Sequence, residues 1–315
     1  MQRIVQARVS SCVSTFEADF MAKFEFTEYI DRNAPAVFFG CYSPIAGRPR
    51  PDIRLILEHK SLAVLIWGGS DAMRSLVNLS AYKDLFTAKH IKHVAISKFI
   101  AADLDKWGVP YVRLPVCPTI ENDGGFTPES LGENVYTYLG SHGNPQFYGS
   151  DVLLQVRKML PKVGFITCYS DPPDHHPISS MSEIYSKCFM GLRLTKHDGL
   201  PNTVVQLGLM GRRCVWNGDL SNSIPWKTAD DVVRAIDKER VRIGTSHPEV
   251  AEAIIRDITM PSDWLDSSFW GASDLRKFHA RLKFGRAGRQ QIPRQGPWEL
   301  SGELSRDAKR RLGQI

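Results

Sequence analysis

Apolar residues along this chain fall into short unbroken runs, separated by longer stretches in which they recur every three to four positions. "APAVFFGCYS", "SLAVLIWGG", "KHVAISK" and "VPYVRLPVCP" are runs of the first kind. Their length and content predict strands buried on both faces. "RPDIRLILEHK", "DAMRSLVNLSAYKDLFTA" and "FIAADLDKWG", the last ending at Gly108, are of the second kind and predict helices between the strands. Such alternation predicts a parallel sheet with helices on both faces. The first thirty residues give only a weak amphipathic signal.

"TIENDGGFTPESLGEN" breaks the pattern with Gly, Pro and Asn and reads as a linker. The alternation then restarts. "NVYTYLG", "KVGFITCYS", "FMGLRLT" and "RRCVW" predict strands. "GSDVLLQVRKML", "MSEIYSKC" and "NTVVQLGLMG" predict the helices between them, and "TADDVVRAIDKERVR" a closing surface helix. The expected fold class is α/β, with two Rossmann-like parallel-sheet domains facing a cleft. The N-terminal domain would span residues 1–125 and the C-terminal one residues 133–262. A C-terminal helix and basic tail would occupy 263–315. Ligands in such folds lie at the carboxyl ends of the strands.

Two domains suit a length of 315 residues, and 43% hydrophobic with 23% charged residues is the composition of a soluble globular protein. No apolar run approaches the roughly 20 residues needed to span a bilayer. The N-terminal stretch is too broken by charge for a signal peptide, so a cytoplasmic protein is expected. Cys12, Cys41, Cys117, Cys168, Cys188 and Cys214 lie far apart with no CxxC pair. They read as reduced, largely buried thiols, with neither a zinc site nor a disulfide framework. The adjacent His175 and His176 of "DPPDHHP" lack a third ligand at matching spacing, and no metal site is expected. The net charge of +6 is uneven: residues 271–315 hold 11 Lys/Arg against 4 Asp/Glu, and the rest of the chain sums to −1. That end is either solvated surface or a contact for DNA or an anionic membrane surface.

Three loops follow expected strands at the ligand-binding edge. In "GGSD", Gly68 and Gly69 allow close backbone approach, beside Ser70. Asp71 is either a helix cap or a general base toward a hydroxyl acceptor. "GSHGNPQFYG", from Gly140 and Ser141 onward, is either a plain turn or a loop with room for phosphate or sugar. It does not have the GxGxxG spacing. "LRLTKHDGLPN" places Arg193, Lys196 and His197 just before a helix start near Asn202 and Thr203. Side-chain cations and free N–H groups together make a metal-free diphosphate site.

The order of these segments over residues 35–240 resembles the GT-B glycosyltransferases, and the second half resembles glycosyltransferase family 4. That family's motif, E-G-F-G-L-x-x-x-E-A-x-x-x-G-x-P-V-V, aligns without gaps. The two Glu positions fall on Asp198 and Gln206, the Gly positions on Gly199 and Gly211, and the valines on Cys214 and Val215. Both acidic positions are altered, the N-terminal domain is short, and the usual Arg and Lys of the glycine-rich loop are missing between Gly140 and Gly149.

The resemblance implies a hexosyltransferase that moves sugar from a UDP- or GDP-sugar to a hydroxyl acceptor (glycan, lipid-linked or small molecule), with no permanently bound cofactor. It implies donor binding by Gly140, Ser141, Arg193, Lys196, His197, Gly199, Leu200, Pro201, Asn202, Thr203 and Gln206, the last on the nucleotide ribose. Asp71 and Asp198 are then the catalytic candidates, and Gly68, Gly69 and Ser70 lie on the acceptor side. The layout also resembles the phage DNA base glucosyltransferases, whose acceptors are hydroxymethylated bases. Gln206 and the basic end also fit a non-catalytic nucleic-acid-binding homologue, and an epimerase of the same layout is a further alternative.

Overall fold

The computed structural model describes residues 3–41, 51–69, 71–72, 79–118 and 125–271, all within one compact unit, Met1–Leu282. It contains two wholly parallel sheets, each with helices packed against it. The first half runs β1 (Gln6–Val9), α1 (Glu17–Lys23), β2 (Thr27–Glu28), β3 (Ala36–Phe39), α2 (Pro51–Glu58), β4 (Ala63–Trp67), α3 (Leu79–Thr87), β5 (Ile91–Ala95), α4 (Lys98–Lys106) and β6 (Tyr111–Arg113). Its six strands lie in the order β2-β1-β3-β4-β5-β6. β3 and β4 are buried at every position, which is why they read as unbroken apolar runs.

The second half runs β7 (Asn134–Tyr138), α5 (Ser150–Met159), β8 (Phe165–Cys168), α6 (Met181–Ser186), β9 (Cys188–Leu192), α7 (Asn202–Leu209), β10 (Arg213–Val215), β11 (Ser223–Ile224), α8 (Ala229–Arg240), α9 (Pro248–Ile258) and α10 (Ser267–Gly271). Its sheet order is β11-β10-β9-β7-β8. The two-domain α/β architecture expected from the alternation is therefore present.

Three elements carry no clear signal in the sequence, while α9 does carry the helical one, with Val250, Ala251, Ile254 and Ile258 at i, i+1, i+4 and i+8 behind Pro248. β1 includes a buried Gln6, whose amide donates to the carbonyls of Asp31 and Ala34 and accepts from the N–H groups of Ile30 and Asp31. One side chain thus satisfies four backbone groups, as a strand would. β2 and β11 are two residues each. α9 packs on α7, where Ile254 lies against Gly208. Past α9 the chain returns to the first core: Trp264 meets Phe24 edge-on, and the Ile4 N–H donates to the Leu265 carbonyl.

Arg212 is completely buried. Its guanidinium donates to the carbonyls of Ser130, Tyr185, Ser186, Cys188 and Met210. This fixes the chain entering β7 to the turn between α6 and β9. Cys41, Cys117, Cys168, Cys188 and Cys214 are buried free thiols. No helix among the described residues is long and apolar enough to cross a membrane.

His93, on β5, is buried and accepts from the Trp67 indole N–H through Nδ1 at 3.1 Å. Burial pulls its pKa down to about 4. The folded state therefore resists protonation that the unfolded chain accepts, so this contribution is complete above pH ~6.5 and is lost as pH falls toward 4. Urea unfolding from pH 7 to 4 is expected to show about 3 kcal/mol of stability lost through this group and absent in His93→Gln.

Candidate functional site

In the second sheet β7 lies between β8 and β9, so connections leave it toward opposite sides. Such a reversal opens a crevice at the strand carboxyl ends. Two loops emerge there, the one after β7 with its three glycines and the one from Arg193 to α7. Tyr148 joins them. Its ring fills the space beside Gly140, where an added Cβ would sit 2.0 Å from a ring carbon, and Gly140 has φ +64°. The Arg193 guanidinium lies 4.8 Å from the Tyr138 ring centroid and 4.9 Å from that of Tyr148.

Arg193 Nε donates to Asp198 Oδ2 at 2.6 Å, with both side chains largely buried at 10% and 15% exposure. Burial opposes the arginine's charge, but the paired Asp198 outweighs it and holds the guanidinium firmly protonated. Among the described residues only Nε has a hydrogen-bond acceptor, which leaves the two amino groups available. Asp198 Oδ1 accepts from the Gly199 N–H and so closes the loop on itself.

α7 starts after Pro201 with no side-chain cap. The N–H groups of Val204 and Val205 turn back to the Pro201 carbonyl. Among the described residues those of Asn202 and Thr203 have no acceptor, and Thr203 Oγ1 is buried with no partner there either. Free donors at a helix N-terminus attract an anion. All of α7 from Val204 to Leu209 is buried, which accounts for its nearly continuous apolar sequence.

Gln206 stands apart from this cluster. It is 4% exposed, and its carbonyl accepts from the Tyr185 hydroxyl at 3.1 Å inside the second core. Lys196 is exposed, and Ser141 is half-buried with its carbonyl accepting from the Asn144 N–H.

On the facing side, Asp71 is fully buried. Oδ1 accepts from the N–H groups of Gly69 and Ala72, and Oδ2 from those of Gly68 and Cys41. Burial pushes its carboxyl up, against the four backbone bonds. All four lone-pair directions are occupied, so Asp71 holds the loop after β4 against the end of β3. A proton taken from an acceptor would have to displace one of these N–H donors. Ser70 lies outside the described residues. Gly68 and Gly69 meet the other half directly: a Cβ on Gly199 would sit 2.3 Å from the Gly68 carbonyl oxygen.

Several participants were not evident from the sequence. Tyr148 is one of two adjacent aromatics in a glycine-rich loop, and that was its only signal. Asp52, whose Oδ2 accepts from Ser10 Oγ at 2.5 Å, is a buried acid in the first half. Asp103 lies on the buried face of α4 with Ile100 and Leu104, and an acid among apolar positions was its only signal.

No protein-family model matches the sequence, and a search of curated proteins finds no match. Solved structures do resemble it. Sucrose-phosphate synthase from Thermosynechococcus elongatus aligns at TM-score 0.51 and 10% identity, over 79% of this chain and 73% of that one. A glycosyltransferase from Rickettsia africae aligns at 0.50 and 10%, over 82% and 94%. S. aureus TarM, in complex with fondaparinux, alpha-GlcNAc-glycerol and UDP, aligns at 0.51 and 10%, over 73% and 54%. The chain thus spans about half of TarM. At this identity the likeness is one of fold.

Asp71→Asn is expected to lower unfolding stability by about 2–4 kcal/mol, because an amide facing four N–H donors satisfies at most two of them. Denaturant titration checks this, and an unchanged midpoint would show that the loop is held by other contacts.

Proposed function

We propose that this protein is a glycosyltransferase that moves a sugar from a nucleotide-diphosphate sugar, with UDP or GDP as the nucleotide, to a hydroxyl acceptor. One observation supports this most: the uncapped start of α7, with the orphaned Thr203 hydroxyl, lies at the end of the same loop as an arginine whose two amino groups are unengaged. That set of donors matches a diphosphate. The fold is shared with glycosyltransferases, and TarM is a neighbour solved with UDP.

In this reading Arg193, Lys196 and the Asn202 and Thr203 N–H groups stabilise the leaving diphosphate electrostatically. Tyr138 and Tyr148 keep Arg193 in place. Asp198 and Gly199 lie near the sugar, with His197, Leu200 and Pro201 shaping the loop around them. Gly140 and Ser141 begin the loop that faces the phosphates. Gln206 turns its carbonyl to Tyr185, so its amide nitrogen is the group left for the ribose. The acceptor enters from the Gly68, Gly69 and Ser70 side, whose backbone Asp71 holds. Water would be excluded where the two halves meet.

The acceptor class divides into glycan, lipid-linked or small-molecule hydroxyls and hydroxymethylated DNA. The basic surplus that motivates DNA or an anionic membrane lies, beyond Gly271, outside the described residues.

Thermal-shift titration with UDP, GDP and their sugars is expected to reveal stabilisation by one nucleotide series. Arg193→Ala should weaken that binding about tenfold or more, the effect of losing charge-assisted bonds to phosphate. If no nucleotide binds, no donor is slowly hydrolysed, and Arg193→Ala behaves as the parent, the reading is wrong. Mass spectrometry of glycan, lipid and hydroxymethylated-DNA acceptors then assigns the product.

A further inference from the structure

The loop that carries Asp198 is held from the other half of the molecule. His197 Nε2 lies 2.6 Å from Asp103 Oδ2, and the side chains are 19% and 5% exposed. Asp103 belongs to α4, in the first half. Its second oxygen, Oδ1, faces Lys106 Nζ at 3.1 Å. One and a half turns earlier on the same helix, Ser97 Oγ donates to the Asp198 carbonyl at 3.1 Å, and the Phe99 ring stands 5.8 Å from the His197 imidazole. On the loop side, Thr195 Oγ1 donates to the His197 carbonyl at 2.7 Å and fixes the backbone from which the imidazole projects.

We propose that Asp103 and His197 form a positioning pair that sets where the Arg193–Asp198 loop stands between the two halves. This deepens the glycosyl-transfer reading and rests on it only for its consequence in binding. The geometry explains the choice of residues. A buried carboxylate one hydrogen bond from an imidazole is directional, and it acts at the residue next to Asp198. Around it, Gly68, Gly199 and Leu200 contribute backbone or apolar packing, Ser97 and Lys98 donate to the carbonyls of Asp198 and Gly218, and Arg113 pairs with Asp219. Among the described residues, Asp103–His197 is thus the cross-half bond made by a side chain of the donor loop itself.

The experiment uses the full chain with spin labels at Ile30→Cys in the first half and Leu154→Cys in the second, both on exposed positions. The parent is expected to give one narrow interspin distance distribution. Asp103→Asn and His197→Ala should broaden it, and His197→Gln should restore it, because the Gln amide N–H reaches the position of imidazole Nε2. Circular dichroism confirms that each variant is folded, and if His197→Ala fails to fold, Asp103→Asn against His197→Gln decides. Calorimetric titration with UDP and GDP on the same samples should show about tenfold weaker binding when the pair is broken and recovery to within about threefold with His197→Gln. Unchanged distributions in Asp103→Asn and His197→Ala overturn the proposal. Broadened and restored distributions with no nucleotide binding in any sample uphold the pair and overturn the glycosyl-transfer reading.

Discussion

The buried pair of Arg193 and Asp198 is the interaction on which the second half of the crevice depends. Two charges taken out of water are unfavourable unless each finds a close, well-oriented partner. Here the partners come from the loop itself, five residues apart, and two tyrosine rings enclose the cation. If the carboxylate were lost, the arginine would have to reach solvent or a ligand for compensation. The loop would then no longer turn back through the Gly199 N–H, and the entry into α7 would lose its shape. The uncapped helix start and the glycine-rich loop are both placed through this pair, the first by chain connection and the second through Tyr148.

Much of the architecture was legible because parallel strands buried on both faces cannot hide their composition. "APAVFFGCYS", "SLAVLIWGG" and "FMGLRLT" contain β3, β4 and all of β9 but Cys188, which reads as the end of the preceding helix. β1 was not legible, because its Gln6 replaces missing backbone partners and breaks the apolar run. β2 and β11 are too short to show any period. α9 has a proline in its first turn and a helical apolar face in its own sequence, and only the partner of that face, α7, is not visible locally.

The candidate site divides along the same line. Arg193, Asp198 and Thr203 were legible because they sit in one short segment, and for Arg193 and Asp198 proximity in sequence became a direct bond. Tyr138, Asp52 and Asp103 were not, because they reach their partners through topology. Asp71 shows a different limit. The sequence placed it after the right strand but could not reveal that four backbone N–H groups converge on it. Gln206 likewise shows this limit, since its carbonyl turns toward Tyr185, a partner from another element.

Arg212 bears on how the molecule can move. Because it binds the Ser130 carbonyl together with four carbonyls of the α6–β9 and α7–β10 turns, the chain from Ser130 onward is structurally part of the second sheet's body. Any pivot of one half on the other along this connection must therefore act before Ser130. The return crossing at 259–264 supplies the other strand of such a hinge, so the axis of motion would pass between two chain segments, only one of which ends in a buried cation.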